Sequence, residues 1–193
     1  MNLLIVGAIL LISATISVSN NYTLAKDYTV TIHGTSNLHD WDETVGTVTG
    51  QGAVTWNSDG SFDLNTVTIK MEVHSIKSTE GSMMNNNTYK ALKADADPEI
   101  IFTLADPLKS IQGNSTGKAI SAKGKLTIAG VTNPIDMQVK VSMQGHEKLA
   151  FDGSQTVKMT DYGINPPTAL FGTLKTGNIL TISFKTNFDI TAQ

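Results

Sequence analysis

The sequence predicts an all-β protein: a single antiparallel β-barrel of about eight strands with one short helix. Three observations carry that reading. Apolar and polar residues alternate with a period of two through most of the chain, as half-buried strands require. Turn-forming clusters separate these runs at hairpin spacing. No strand-helix-strand rhythm occurs, so neighbouring strands pair antiparallel, and a sheet of this size with one apolar face closes most economically on itself.

The chain opens with an uncharged run over residues 3–16, the length of a signal-peptide apolar region and shorter than the ~20 residues needed to cross a bilayer. Small residues at Ser17-Val18-Ser19 and Thr23-Leu24-Ala25 offer two processing sites. The second is favoured because Lys26-Asp27 begins charged sequence. Residues 1–25 are therefore read as a signal peptide and residues 26–193 as one domain, large enough for a real core. The expected location is periplasmic or secreted. No basic residue precedes the apolar run, which leaves an uncleaved anchor as the alternative.

Tyr28, Val30 and Ile32 make the first inward face of the domain, and residues 48–56 the next strand, where Gly50 and Gly52 allow a bend or bulge. Val67, Ile69, Met71 and Val73 alternate with Thr68, Lys70, Glu72 and His74, the clearest period-two run in the chain. An asparagine run then supplies caps for a short helix over residues 87–93, with Tyr89 and Leu92 on one face. Further inward faces follow at Ile100/Phe102/Leu104, Leu126/Ile128, Ile135/Met137/Val139/Val141/Met143, Val157/Met159 and Leu180/Ile182/Phe184/Phe188/Ile190. Turns are expected at residues 57–60, 112–117, 145–146 and 176–178.

Composition narrows the function. Cysteine is absent, so neither disulfides nor thiolate metal sites support the fold. The net charge is −3 and all 14 basic residues are lysines. A chain of this charge without basic patches is a poor partner for nucleic acid, and the bidentate phosphate clamp that arginine provides is missing.

His39-Asp40-Trp41-Asp42 brings an imidazole and two carboxylates together in sequence. In an extended segment successive side chains point to opposite faces, so His39 does not meet Asp40 directly. A structural corner is the stronger reading, and proton transfer the weaker one. His33, His74 and His146 lack the spacing of zinc ligands, and no nucleophile elbow, phosphate loop or carboxylate pair occurs. Met71, Met83, Met84, Met137, Met143 and Met159 suit either an irregular core or a pocket for apolar ligands of varied shape. Residue types alone do not decide between them, because an eight-stranded barrel has just enough interior to be filled or to hold one ligand.

Four stretches occur in order: GTSNLHDW (residues 34–41), NNNTYKALKADADPEIIF (85–102), KGKLTIAGVTNPI (123–135) and VKMTDYGINPPTALFGTLKTG (157–177). In kind and spacing they resemble the YceI-like family of exported, lipocalin-like β-barrels that hold polyisoprenoid or other amphiphilic lipids. The resemblance implies a lipid-binding protein and not an enzyme. It implies no cofactor beyond a bound lipid, with an isoprenoid quinone, polyprenyl or fatty-acid-like lipid as partner. No nucleic acid and no stable membrane span are expected, and a homodimer is admitted. The implied ligand contacts are Trp41, Ile69, Met71, Val73, Met83, Met84, Tyr89, Leu92, Ile100, Phe102, Leu126, Met137, Val139, Met159, Tyr162 and Phe171. Many relatives carry an arginine shortly before the segment that here reads Lys158-Met-Thr-Asp-Tyr-Gly163. Its absence favours a neutral headgroup over a pyrophosphate, with Lys90, Lys93 and Lys158 as the remaining point charges near that end. Two rivals stay open: a fully packed structural or stress-related barrel acting through its surface, and a lipid-modifying hydrolase or isomerase using His39 with Asp40 or Asp42.

Overall fold

Strand-breaking residues divide the chain into short strands that bends join into longer staves. The computed structural model describes residues 19–191, so the apolar run at residues 3–16 lies outside the described residues. Its strands are β1 (Ser19–Leu24), β2 (Thr29–Ser36), β3 (Trp41–Val45), β4 (Val48–Trp56), β5 (Phe62–Glu72) and β6 (Ile76–Ser78), followed by the helix α1 (Ser82–Ala91). After the helix come β7 (Glu99–Leu104), β8 (Leu108–Ile111), β9 (Lys118–Ile128), β10 (Val131–Gln144), β11 (Lys148–Lys158), β12 (Thr168–Ala169) and β13 (Leu174–Ile190).

All pairings are antiparallel, and β13 closes the ring by pairing with β11 on one side and with both β1 and β2 on the other. Because β1 and β2 lie end to end along β13, they act as one stave. β3 and β4 form a second, and β5 and β6 a third. β7 and β8 form a fourth along β5. With β9, β10, β11 and β13 the result is the expected closed eight-stranded antiparallel barrel with one helix. It runs up and down around the ring, which removes free sheet edges along most of its height.

Alternation sets which side chains fill it. In β5 the buried positions include Phe62, Leu64, Val67 and Met71, while Lys70 is exposed and pairs with Glu99 at 2.8 Å. Asn65 lies in a register irregularity opposite Ala53/Val54, so the bulge of this hairpin sits beside the β4 glycines and not at them. At Gly124 a close approach inside the barrel requires glycine: a Cβ there would lie 2.1 Å from Cε2 of Phe102, so its absence lets the ring lie against the wall.

Several local expectations are corrected. The helix spans Ser82–Ala91 and not residues 87–93. Gly81 precedes it with φ 91°, and Asn85 turns away from capping to accept the Ser78 N–H. The turn expected at residues 176–178 is a bulge inside β13, where the register to β2 slips between Thr176 and Leu180. Asn178 holds that bulge by exchanging hydrogen bonds with Thr160. Ile190, expected inward, is exposed at the barrel end, while Thr186 takes an inward place and donates to the Phe151 carbonyl at 3.1 Å. An unforeseen two-residue turn, Ala129-Gly130, joins β9 to β10 with φ 49° and 81°, matching the twist of a tight hairpin.

The two ends of the barrel differ. At one, here the floor, Tyr22, Val54, Phe62 and Leu149 are almost completely buried. The Tyr22 hydroxyl donates to the His146 carbonyl and accepts from Trp56 Nε1, and Trp56 stacks on the His146 ring with centroids 3.9 Å apart. Tyr22 belongs to β1, which lies before the boundary expected at Ala25. At the other end, the rim, α1 and residues 159–173 lean over the opening.

Candidate ligand-binding site

Two cavities lie one above the other inside the barrel. The lower one, about 110 Å3, sits above the floor and is lined by side chains of the β2, β5, β7–β11 and β13 strands. Apart from Gln155 and Thr186, its lining is aliphatic or aromatic. The upper one, about 120 Å3, lies beneath α1 and the rim segment. Ile182 is the residue that lines both, and Val30, Met71 and Leu126 stand near it on the lower side, Ile32 and Ile100 on the upper. This waist is built by ordinary strand alternation: Met71 pairs with Ile100, Ile32 with Ile182, and Val30 with Phe184 one inward position further along.

The structure brings many of the anticipated residues to these cavities. Ile69, Met71, Phe102, Leu126, Met137 and Val139 line the lower one. Trp41, Met84, Leu92, Ile100, Met159 and Tyr162 line the upper one. Trp41 packs across Gly34, its cross-strand partner, where a Cβ would fall 2.2 Å from the indole, and its Nε1 donates to the Thr35 carbonyl. It is thus a wall of the upper cavity as well as a corner of the rim.

Others lie elsewhere. Val73 is buried in a short helical turn and reaches neither cavity. Tyr89 directs its hydroxyl to the His74 and Ile76 carbonyls on the flank of the helix. Met83 is 76% exposed and Phe171 projects fully into solvent at a left-handed backbone position, φ 55°. None of the three lysines lines an interior cavity. Lys93 Nζ donates to the Ala129 carbonyl, Lys90 is exposed, and Lys158 borders a shallow outer depression shared with Asp136 and Asp161.

The imidazoles also lie outside. His33 Nδ1 and Asp42 Oδ1 are 2.9 Å apart on the outer face of β2 and β3, and His39 Nδ1 contacts the Asp40 backbone carbonyl. His39 Nε2 lies 3.9 Å from Glu80, and His74 3.5 Å from Asp95, each pair solvent-exposed. These are surface pairs of small energetic weight. No group of three or more metal-ligating side chains occurs among the described residues. No helix among them is long and apolar enough to cross a membrane.

One polar residue inside escaped notice. Glu43, only 2% exposed, alternates inward with Trp41 and Val45 on β3 and lines the upper cavity. Its Oε1 accepts from the Thr88 hydroxyl of α1 at 2.6 Å. Burial pushes its carboxyl above the ordinary range, and the Thr88 hydrogen bond offsets part of that rise. The signal was in the sequence: the same period-two rule that places Trp41 and Val45 inside places Glu43 between them.

An interior with this shape and topology defines a lipocalin-like binding barrel. The family model for the YceI-like domain matches residues 22–188, and the chain belongs to that family. A UPF0312 protein of Pseudomonas paraeruginosa is 33% identical over 61 residues, 29% of this chain and 32% of that relative's length. Among solved structures, a polyisoprenoid binding domain from Saccharophagus degradans implicated in plant cell wall breakdown superposes with a TM-score of 0.68 at 14% identity, covering 88% of this chain and 98% of its own. Burkholderia cenocepacia BcnA gives 0.62 at 16% identity, covering 83% and 95%. The Campylobacter jejuni YCEI protein gives 0.58 at 16%, covering 78% and 85%. At these identities the likeness is one of fold.

Proposed function

We propose that this protein is an exported carrier that sequesters an elongated apolar or amphiphilic lipid, of isoprenoid type, along the axis of its barrel. The observation that carries this reading is the pair of stacked cavities, the lower with an almost wholly apolar lining, beneath a helix at the one end not sealed by aromatic packing. A chain inserted there exchanges water for aliphatic and aromatic walls, releasing ~0.8 kcal/mol per buried CH2 before ordering costs. Each cavity is small beside the ~300–1,000 Å3 of a site for a drug-sized ligand. A ligand long enough to occupy both therefore has to move side chains at the waist, and Met71 is the flexible member of that layer.

The reading is of a binding protein and not an enzyme, and it is supported by the outward placement of His39, Asp40 and Asp42, away from both cavities. Export is proposed from the uncharged run at residues 3–16. Processing after Ser19 fits β1 better than processing after Ala25, because the second site would remove Tyr22 and the strand that joins β13 to β4 at the floor. N-terminal sequencing of the protein from its host should give a start at Asn20; a start at Lys26 would show that the barrel closes without β1.

Mass spectrometry of solvent extracts from the natively purified protein should find a stoichiometric long-chain lipid. Its binding should change little between low and high salt, since apolar burial supplies the affinity. Absence of any lipid, together with failure to bind added prenols, would leave a packed barrel acting through its surface.

A further inference from the structure

We propose that Glu43 and Thr88 form the headgroup subsite of the upper cavity, which accepts a neutral headgroup able to exchange a hydrogen bond with a carboxyl group and rejects an anionic one. The assignment rests on the lipid-binding reading and specifies which end of the ligand sits where. A carboxyl group in an apolar wall is costly unless matched, because every polar group taken from water needs a partner. Glu43 has one match. Thr88 satisfies Oε1, while Oε2 has no partner among the described residues and keeps accessible surface; the residue is only 2% exposed and lines the cavity.

The surroundings fix the sign of the selection. Ile32 and Ser78, the cross-strand partners of Glu43, carry no charge. Met84, Asn87, Ala91 and Leu92 from the helix side carry none either, and Tyr162 is the other ionisable residue of the lining. An anionic headgroup placed here would meet a carboxyl and no lysine, so it would either confront a like charge or force that group to stay protonated. A hydroxyl, carbonyl or amide meets a group that accepts when ionised and both donates and accepts when neutral. Burial raises the carboxyl's proton affinity, and either form offers a hydroxyl or amide headgroup a hydrogen-bond partner. A purely structural role, in which Glu43 only ties β3 to α1 through Thr88, predicts no effect on which headgroup binds.

The test uses geranylgeraniol and geranylgeranyl diphosphate, which share a chain and differ in headgroup, titrated into the delipidated full mature protein and its Glu43→Gln variant. The wild type should prefer the alcohol by at least tenfold. Glu43→Gln should narrow that preference by at least fivefold. A ratio unchanged by the substitution, or a wild type that binds the diphosphate as tightly as the alcohol, overturns the subsite. If neither compound binds, the lipid-carrier reading itself falls and the subsite with it. Should Glu43→Gln fail to fold, the double variant Glu43→Leu/Thr88→Val replaces both partners by apolar groups. It should then bind geranylgeraniol no better than its saturated hydrocarbon analogue phytane, and a retained preference for the alcohol overturns the assignment.

Discussion

At the floor of the barrel, Tyr22, Trp56, Phe62 and His146 fill the cross-section and hydrogen-bond or stack on one another. At the rim, a helix with no fully buried residue and a segment with exposed Phe171 lean over a cavity holding a carboxyl group matched on one oxygen. Both ends close the same ring of strands. The floor does so with large aromatic area at low conformational cost, which favours a single packing. The rim uses a short helix that rests on the barrel through partly buried contacts, the kind of element that opens locally below the free energy of global unfolding. Stability is thus concentrated at one end, and access at the other.

The largest expected effect tests the floor. Phe62, with no exposed surface, packs tilted against Trp56 with centroids 5.1 Å apart. Phe62→Ala should cost ~3–5 kcal/mol in urea unfolding while leaving lipid affinity of the folded protein nearly intact. A cost under ~1 kcal/mol would mean that the floor is as loose as the rim.

Met71→Ala probes the waist between them. Met71 is buried yet lines a cavity, so part of its surface already lacks neighbours to lose. The cost should fall at the bottom of the ~2–5 kcal/mol range for such truncations, and the preferred prenol chain length should increase. A full-range cost with no change in length preference would place the waist with the packed floor.

Glu43 separates the ends by pH. Its folded pKa is raised, so between the ordinary glutamate value and that raised value the folded state binds more protons than the unfolded state. Stability contributed by the neutral acid is therefore fully present below the unfolded pKa and is lost as pH rises through the folded one. Glu43→Gln should flatten that part of the stability curve, measured by denaturant midpoints over a pH series. An unchanged slope would show that the rim admits enough water to keep Glu43 ordinary. The smallest effect is expected at Lys70, whose exposed pair with Glu99 stands on the outer wall. Lys70→Ala should alter stability by no more than ~0.5 kcal/mol and leave binding unchanged.

Much of this was legible in residues 67–71, 102–104 and 135–139, where alternation named inward side chains that line a large part of the lower cavity. Alternation works there because a strand permits two side-chain directions and burial chooses one. It failed where direction depends on something other than a regular strand. Val73 belongs to a helical turn, Met83 and Tyr89 sit on a helix whose start lay five residues earlier than expected, and Phe171 occupies a left-handed turn. The bulge at residues 176–178 reads as a turn because Gly177-Asn178 has turn chemistry, and only pairing on both sides carries the strand through it.

The sequence by itself determined the fold class, the number of staves and an apolar interior, because period-two patterning and turn residues act over a few neighbours in the chain. It also contained Glu43 at an inward position. The tertiary structure alone decided that β1 joins β13 to β4 at the floor, that floor and rim are unlike, and that Thr88 of the helix meets Glu43 across a separation of 45 residues. Those outcomes depend on which distant segments share the finite volume of the barrel, and no local preference encodes that volume.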